Sequence, residues 1–265
     1  MPEGDAVLRT ARRLHAALAG APITTWDLRW PSVATSDQRG AVTVEVVARG
    51  KHLLHRLDRG ITLHTHLRMD GSWRVRAPGP PVRDPWARAV VGAPGAVAVG
   101  RRLGLVELVR TSDEHRVVGH LGPDLLDPDF DADEALARLR STPQRPLGET
   151  LLDQRVMAGL GTMWASEALH AAALGPLTTV ADADARDRLG ALVGDARTIL
   201  VAAVDGPGRS TYRVRARAGA PPPAEHRVYG KAGQPCPRCG ATVRSVEVGQ
   251  APTARTLQWC PRCQV

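Results

Sequence analysis

Four cysteines stand near the end of the 265-residue chain, as Cys236-Pro-Arg-Cys239 and Cys260-Pro-Arg-Cys263. Each Cys-x-x-Cys turn aims two thiolates at one point, and two such turns complete the tetrahedral, closed set of a structural zinc ion. Two disulfides are the competing reading. The chain holds no other cysteine and no secretory segment, so one structural Zn2+ is the assignment. So short a segment has little core of its own, and metal binding would supply most of its folding energy, on the order of 10 kcal/mol. Between the two turns lies Ala251-Pro-Thr-Ala-Arg255-Thr. A hairpin clamped at its base by zinc would hold Arg255 out at its tip.

The opposite end reads Met1-Pro2-Glu3-Gly4-Asp5. A small second residue lets an aminopeptidase remove Met1 and leave Pro2 first. A terminal proline carries a secondary amine that can attack an aldehyde-like carbon and form an iminium, the chemistry of a Schiff-base lysine. Glu3 could shuttle the proton. A Met-Pro-Glu start also occurs with no chemical role, so this pair needs support from elsewhere in the chain.

Net charge is +8 and the pI about 10.3, which suits a polyanionic partner, most often nucleic acid. The positive charge is written almost wholly as arginine; the only lysines are Lys51 and Lys231. A retained lysine suggests a site needing a compact ammonium. Lys51 follows a glycine in Arg49-Gly50-Lys51-His52, at the mouth of a strand, where a merely solvated lysine is the plainer explanation. His64 and His66 lie on the face opposite Leu63 and Leu67, with no cysteine or carboxylate at ligand spacing, and read as structural or surface histidines. No signal peptide and no apolar run of roughly 18 residues is visible, so a soluble, cytoplasmic protein is expected, with no membrane partner.

These groups need elements to position them. Val7, Ala11, Leu14 and Leu18 form one helical stripe, with Asp5 as a candidate cap. Residues 22–110 read as strands: Val42, Val44 and Val46 alternate, as do Leu63, Thr65 and Leu67, broken by glycine and proline turns. An antiparallel sandwich or barrel follows. Beyond Leu125-Leu126-Asp127-Pro128 the pattern turns helical, over 133–140, 146–154, 162–173 and about 182–204. Val156-Met-Ala-Gly-Leu-Gly161 is a tight turn whose glycines permit close approach of another molecule. The amino end of the helix starting at Thr162 suits a phosphate, and two helices about such a turn can dock on DNA; a plain helical hairpin is the alternative. A loop from 206 to 223 carries Arg209, Arg213, Arg215 and Arg217, and is either a mobile cover for a ligand or a basic linker.

In combination the stretches Pro2-Glu3-Gly4, Gly50-Lys51-His52-Leu53-Leu54, His66-Leu67-Arg68-Met69-Asp70-Gly71, Leu151-Leu152-Asp153-Gln154 through Gly161 to Ala165-Ser-Glu167, and Val228-Tyr-Gly-Lys to Cys263-Gln264 resemble the formamidopyrimidine-DNA glycosylase and endonuclease VIII family. The resemblance spans the whole chain. It implies an α+β fold: an N-terminal helix with an antiparallel β-sandwich (1–125), a helix–two-turns–helix domain with a basic loop (126–225) and a four-cysteine zinc finger (226–265).

It further implies a base-excision repair enzyme, a monomer acting on damaged double-stranded DNA or on single-stranded or bubble DNA. Pro2 would attack C1′ of a flipped nucleotide and expel the base, with Glu3 as acid and base. The iminium acidifies the neighbouring sugar carbon, so both phosphates leave by β,δ-elimination and no catalytic metal is called for. Lys51 and Arg255 would grip phosphates beside the lesion, as would the turn at Gly161 and Thr162. Met69, with Arg101 and Leu103, would fill the emptied position, although Met69 and Leu103 also suit packed sandwich residues. The family usually has asparagine where Thr162 stands and a second glutamate near Asp5 and Ala6, departures that bear on grip and rate. Gly4-Asp5 points to the oxidised-pyrimidine branch and Met69 with Gly100-Arg-Arg-Leu-Gly104 to the oxidised-purine branch; pyrimidines are favoured. Two other readings stay open: a non-catalytic binder of damaged DNA on this scaffold, and a zinc ribbon that docks protein or RNA independently of the front half.

Overall fold

The computed structural model describes residues 2–206 and 226–265, so most of the arginine-rich loop expected over 206–223 lies outside the described residues. The chain divides into two compact units, residues 1–120 and 121–265.

The first unit begins with helix α1 (Gly4–Leu18), whose buried residues include Val7, Ala11, Leu14 and Leu18, the stripe expected from the sequence. Glu3, not Asp5, is the N-cap residue; Asp5 sits in the first turn, where Arg9 donates to it at 2.8 Å. An anion is favoured there by the helix dipole and the i,i+4 partner together. Eight strands follow: β1 (Thr25–Leu28), β2 (Thr43–Arg49), β3 (His52–Leu57), β4 (Ile61–His66), β5 (Ser72–Arg76), β6 (Ala87–Ala93), β7 (Ala96–Arg101) and β8 (Leu105–Arg110). They form two antiparallel four-stranded sheets, ordered β2-β3-β4-β8 and β1-β6-β7-β5. One core joins α1 to both sheets, with Leu53, Leu63 and Val106 from the first and Trp26, Trp73 and Val91 from the second. The period-2 alternation is what makes this possible, since each strand sends every other side chain inward. After β8 come a 3-10 turn (Thr111–Asp113) and the short helix α2 (His115–Val118).

The second unit contains α3 (Ala132–Arg140), α4 (Leu147–Leu152), α5 (Thr162–Ala171), α6 (Val180–Ala185) and α7 (Leu189–Asp205), then the hairpin β9 (Arg244–Val248) and β10 (Arg255–Trp259). The helix expected over about 182–204 is two helices. Thr179 caps α6 through the Asp182 N–H at 3.1 Å, and Asp187 takes a left-handed φ of 54°, which breaks the helical path before α7. The hairpin does not stand alone: Val248 and Leu257 belong to the same core as Leu147, Leu151, Leu169 and Leu192 of the helices. Burying two such side chains contributes roughly 3 to 6 kcal/mol, so helix packing shares with the metal the work of folding this short segment. Among the described residues no helix is long and apolar enough to cross a membrane.

Candidate functional site

In the first unit the predicted residues sit at strand ends and at the start of α1. Pro2 is buried, and Glu3, 2% exposed, occupies the N-cap of α1, its carbonyl accepting the Val7 N–H at 3.0 Å. Gly50 and Lys51 are the two residues of the β2–β3 hairpin turn, because Arg49 pairs directly with His52. Gly50 has φ +56° while Lys51 keeps a negative φ, the pattern of a type II′ turn, which calls for glycine in the first place. Lys51 is not the solvated strand-end lysine of the plainer reading; it is only 8% exposed.

Beside it lies a feature that one-dimensional spacing concealed. His52 on β3, His64 and His66 on β4 and Glu107 on β8 share one face, because His52 pairs with His66 and His64 with Glu107. Nδ1 of His64 lies 2.7 Å from Oε1 of Glu107, and its Nε2 lies 2.7 Å from Nδ1 of His52. A carboxylate only accepts, so His64 donates from Nδ1 and accepts at Nε2, and His52 must donate from its own Nδ1. The hydrogen-bond chain thereby fixes both tautomers and anchors the first residue after the Lys51 turn. Burial, then the neighbouring His66, pushes His52 down to about 3; burial, then Arg68 and Lys51, pushes His66 down to about 4. His64 is lowered by burial against the opposing pull of Glu107. These rings are neutral at neutral pH, and Lys51 and Arg68 supply the local positive charge.

The three residues expected to fill an emptied position differ in their surroundings. Met69 is 64% exposed in the β4–β5 turn. Arg101 ends β7 and its Nε pairs with Asp84. Leu103 is 3% exposed and packed into the sandwich core. A Cβ on Gly100 would come within 2.6 Å of the Leu103 side chain and 3.1 Å of Trp73, so the glycine is what lets this leucine lie down.

In the second unit α4, the turn 153–161 and α5 form the helical motif. Gln154 ties the turn together: its amide donates to the carbonyls of Leu152 and Leu160 and accepts the Gly159 N–H at 3.1 Å. Gly159 has φ +103°, a conformation closed to other residues. Gly161 is the N-cap of α5 and Thr162 its first residue. The amino end of α5 presents the positive pole of the helix.

Farther along the same helix, Glu167 accepts the N–H groups of Arg227, Val228 and Tyr229 at 2.8 to 2.9 Å. Ser166 accepts the Gln258 N–H from β10 at 3.1 Å. Gln264 accepts the Cys260 N–H and donates to the Leu174 carbonyl. A Cβ on Gly148 would meet Leu257 at 2.7 Å, so the hairpin packs directly on α4. Arg255 opens β10 at the outer end of the hairpin, exposed, with Nη1 donating to the carbonyls of Thr253 and Ala254.

Cys236, Cys239, Cys260 and Cys263 bring their sulfurs within 4.8 Å of one another. Two sulfur pairs stand at 4.0 and 3.5 Å. A tetrahedron with Zn–S bonds of about 2.3 Å has edges of about 3.8 Å, so the four thiols fit zinc. Burial and three neighbouring sulfurs push the Cys263 thiol up to about 12, and a divalent cation among them is what permits ionisation.

This sandwich, helical motif and zinc hairpin match known proteins along the chain. Residues 1–106 match the Formamidopyrimidine-DNA glycosylase N-terminal domain, 121–214 its H2TH domain, and 233–265 the zinc finger found in FPG and IleRS. The chain is 45% identical over 271 residues to a protein of Streptomyces coelicolor named probable endonuclease 8 2, covering all of this chain and 94% of the relative. The chain belongs to the formamidopyrimidine-DNA glycosylase and endonuclease 8 family. Within that family it is also 38% identical to the DNA-(apurinic or apyrimidinic site) lyase Nei2 of Mycolicibacterium smegmatis, over 100% of this chain and 99% of that one. The crystal structure of Lactococcus lactis Fpg (MutM) in complex with a DNA containing N7-benzyl-Fapy-dG superposes with a TM-score of 0.83 at 25% identity, covering 99% of each chain. The zinc hairpin matches that finger and lies within the full-length matches to these relatives.

Proposed function

We propose that this family member is a bifunctional DNA glycosylase and AP lyase acting on oxidised or missing bases in DNA, and that Pro2 is its nucleophile. The observation that carries the reading is the adjacency of Pro2 and Glu3 immediately before α1 in a chain of this family. With Met1 removed, the proline nitrogen attacks C1′, the glycosidic bond breaks and the base leaves with the bonding pair and a proton. Glu3 moves protons as the sugar ring opens to the iminium. Loss of a C2′ proton expels the 3′ phosphate, loss of a further sugar proton expels the 5′ phosphate, and water then hydrolyses the iminium to release Pro2.

Lys51 and Arg255 hold phosphates flanking the lesion, and Gly161 with Thr162 the backbone beside them. Compact and forked cations differ in grip, and both position without reading sequence. Met69 enters the emptied position, with Arg101 and Leu103 as its candidate partners. The working modules are 1–125, 126–225 and 226–265, in a monomer acting on duplex DNA in the bacterial cytoplasm. Zinc, held by the four cysteines, stiffens the hairpin that presents Arg255 and takes no part in bond making.

Oxidised pyrimidines are the favoured lesions, in keeping with the endonuclease 8 names among the relatives. A panel of duplex and single-stranded oligonucleotides, each with one oxidised pyrimidine, oxidised purine or abasic site, tests this. Strand ends bearing phosphate on both sides of the gap are the expected product; binding without incision of any member of the panel would contradict it.

A further inference from the structure

Among the described residues, four non-glycine residues have positive φ: Arg68 at 55°, Arg102 at 48°, Ala173 and Asp187. The last two follow α5 and α6, where a chain leaving a helix commonly turns left-handed. Arg68 and Arg102 end no helix. They lie in the two adjoining turns β4–β5 and β7–β8, in a backbone conformation that side chains other than glycine rarely adopt.

The surroundings hold both in place. The Gly104 N–H donates to the His66 carbonyl at 2.9 Å, and the Arg68 side chain lies so close across Gly104 that a Cβ there would overlap it. The Arg102 N–H donates to the Trp86 carbonyl at 2.9 Å, and its guanidinium carbon sits 4.3 Å from the centroid of the Trp86 ring. Asp84, two residues before Trp86, is paired with Arg101 and accepts the Trp86 N–H at 2.9 Å. Three loops are therefore tied together, and they leave Met69 64% and Trp86 47% exposed.

A single exposed aromatic needs no explanation. An exposed indole with an arginine of strained backbone held on its face does. Of the side chains expected to fill an emptied base position, Met69 stands exposed while Leu103 is buried and Arg101 is paired with Asp84.

We propose that Arg102 and Trp86 form a stacking platform for an unstacked nucleobase at the lesion. The inference rests on the DNA-repair reading above. Every base offers a π-face to an indole or a guanidinium plane, and such stacking tolerates any sequence, as a lesion-directed enzyme requires. The base comes either from the strand opposite the lesion or from the position next to it.

Duplexes carrying a tetrahydrofuran site and 2-aminopurine, placed opposite the site in one arm and adjacent to it in the other, separate these sources. An unstacked 2-aminopurine is bright and one stacked on indole is dim. In one arm the Trp86→Ala complex is expected to be brighter than wild type. Preference for the tetrahydrofuran duplex over undamaged duplex should fall about 10-fold, with Trp86→Phe retaining most of it. Equal brightness in both arms and unchanged preference in Trp86→Ala would overturn the platform while leaving the repair reading intact. A wild-type protein with no preference for the tetrahydrofuran duplex would overturn both.

Discussion

Nε2 of His170, near the carboxyl end of α5, lies 3.6 Å from Sγ of Cys236. A zinc-bound thiolate only accepts, so the imidazole donates, and the helix whose first residue is Thr162 reaches the metal site through this contact. Loss of such an outer hydrogen bond typically weakens metal affinity 10- to 100-fold. His170→Ala should therefore release zinc to a colorimetric chelator at least about 10-fold faster than wild type. Equal release rates would show that the contact does not matter to the metal.

Glu167 holds the start of the zinc segment by three backbone N–H groups. Removing the acceptor leaves the buried Val228 N–H unpaired, at about 1 to 3 kcal/mol, while the Arg227 and Tyr229 N–H groups lie nearer solvent and lose less. Glu167→Ala should lower the unfolding free energy by about 1 to 3 kcal/mol in urea titrations. Glu167→Gln keeps one oxygen for Val228 and Tyr229 but opposes a donor to Arg227, and should lose less. An alanine variant as stable as wild type would contradict this.

Acid should destabilise the sandwich through its neutral histidines. His55 is buried between the sheets, bonded to Thr43 at 2.8 Å, and burial pushes it down to about 4. Unfolded histidine titrates near 6.5, so between about 6.5 and 4 the unfolded chain binds the extra proton. The stability from neutral His55 is complete above pH 6.5 and is lost as pH falls, by up to about 1.4 kcal/mol per pH unit. His55→Gln, which does not titrate, should flatten the fall between pH 6.5 and 5 in urea unfolding. Parallel curves would refute the assignment.

Phosphate grips leave a signature in salt. Each one released lowers the slope of log affinity against log salt by about 0.9 on duplex DNA. Lys51→Ala and Arg255→Ala should each bind an abasic-site analogue more weakly, with a slope shallower by about one. Weaker binding at unchanged slope would mean that these cations do not contact phosphate.

Much of this was legible in the sequence because it is local. Cys-x-x-Cys spacing sets the zinc ligands, Gly50-Lys51 marks the tight turn, and the stripe from Val7 to Leu18 marks α1. What escaped depends on register and tertiary contact. Glu107 is 43 residues from His64, and only the β4–β8 pairing brings them together. Trp86 and Arg102 likewise meet across separate loops. The hairpin looked coreless because Val248 and Leu257 bury in the core of the helices, far away in sequence. The break at Asp187 sits in the charged stretch Asp184-Ala-Arg-Asp-Arg188, where no glycine or proline marks a turn.

The decisive measurement is the position of the covalent bond to DNA. Wild-type protein treated with borohydride on an abasic duplex, then digested and read by mass spectrometry, should carry the reduced sugar remnant on the peptide that begins at Pro2. Only two lysine side chains, Lys51 and Lys231, offer competing primary amines. An adduct on either of them, or an active protein whose first residue is still Met1, would contradict the account.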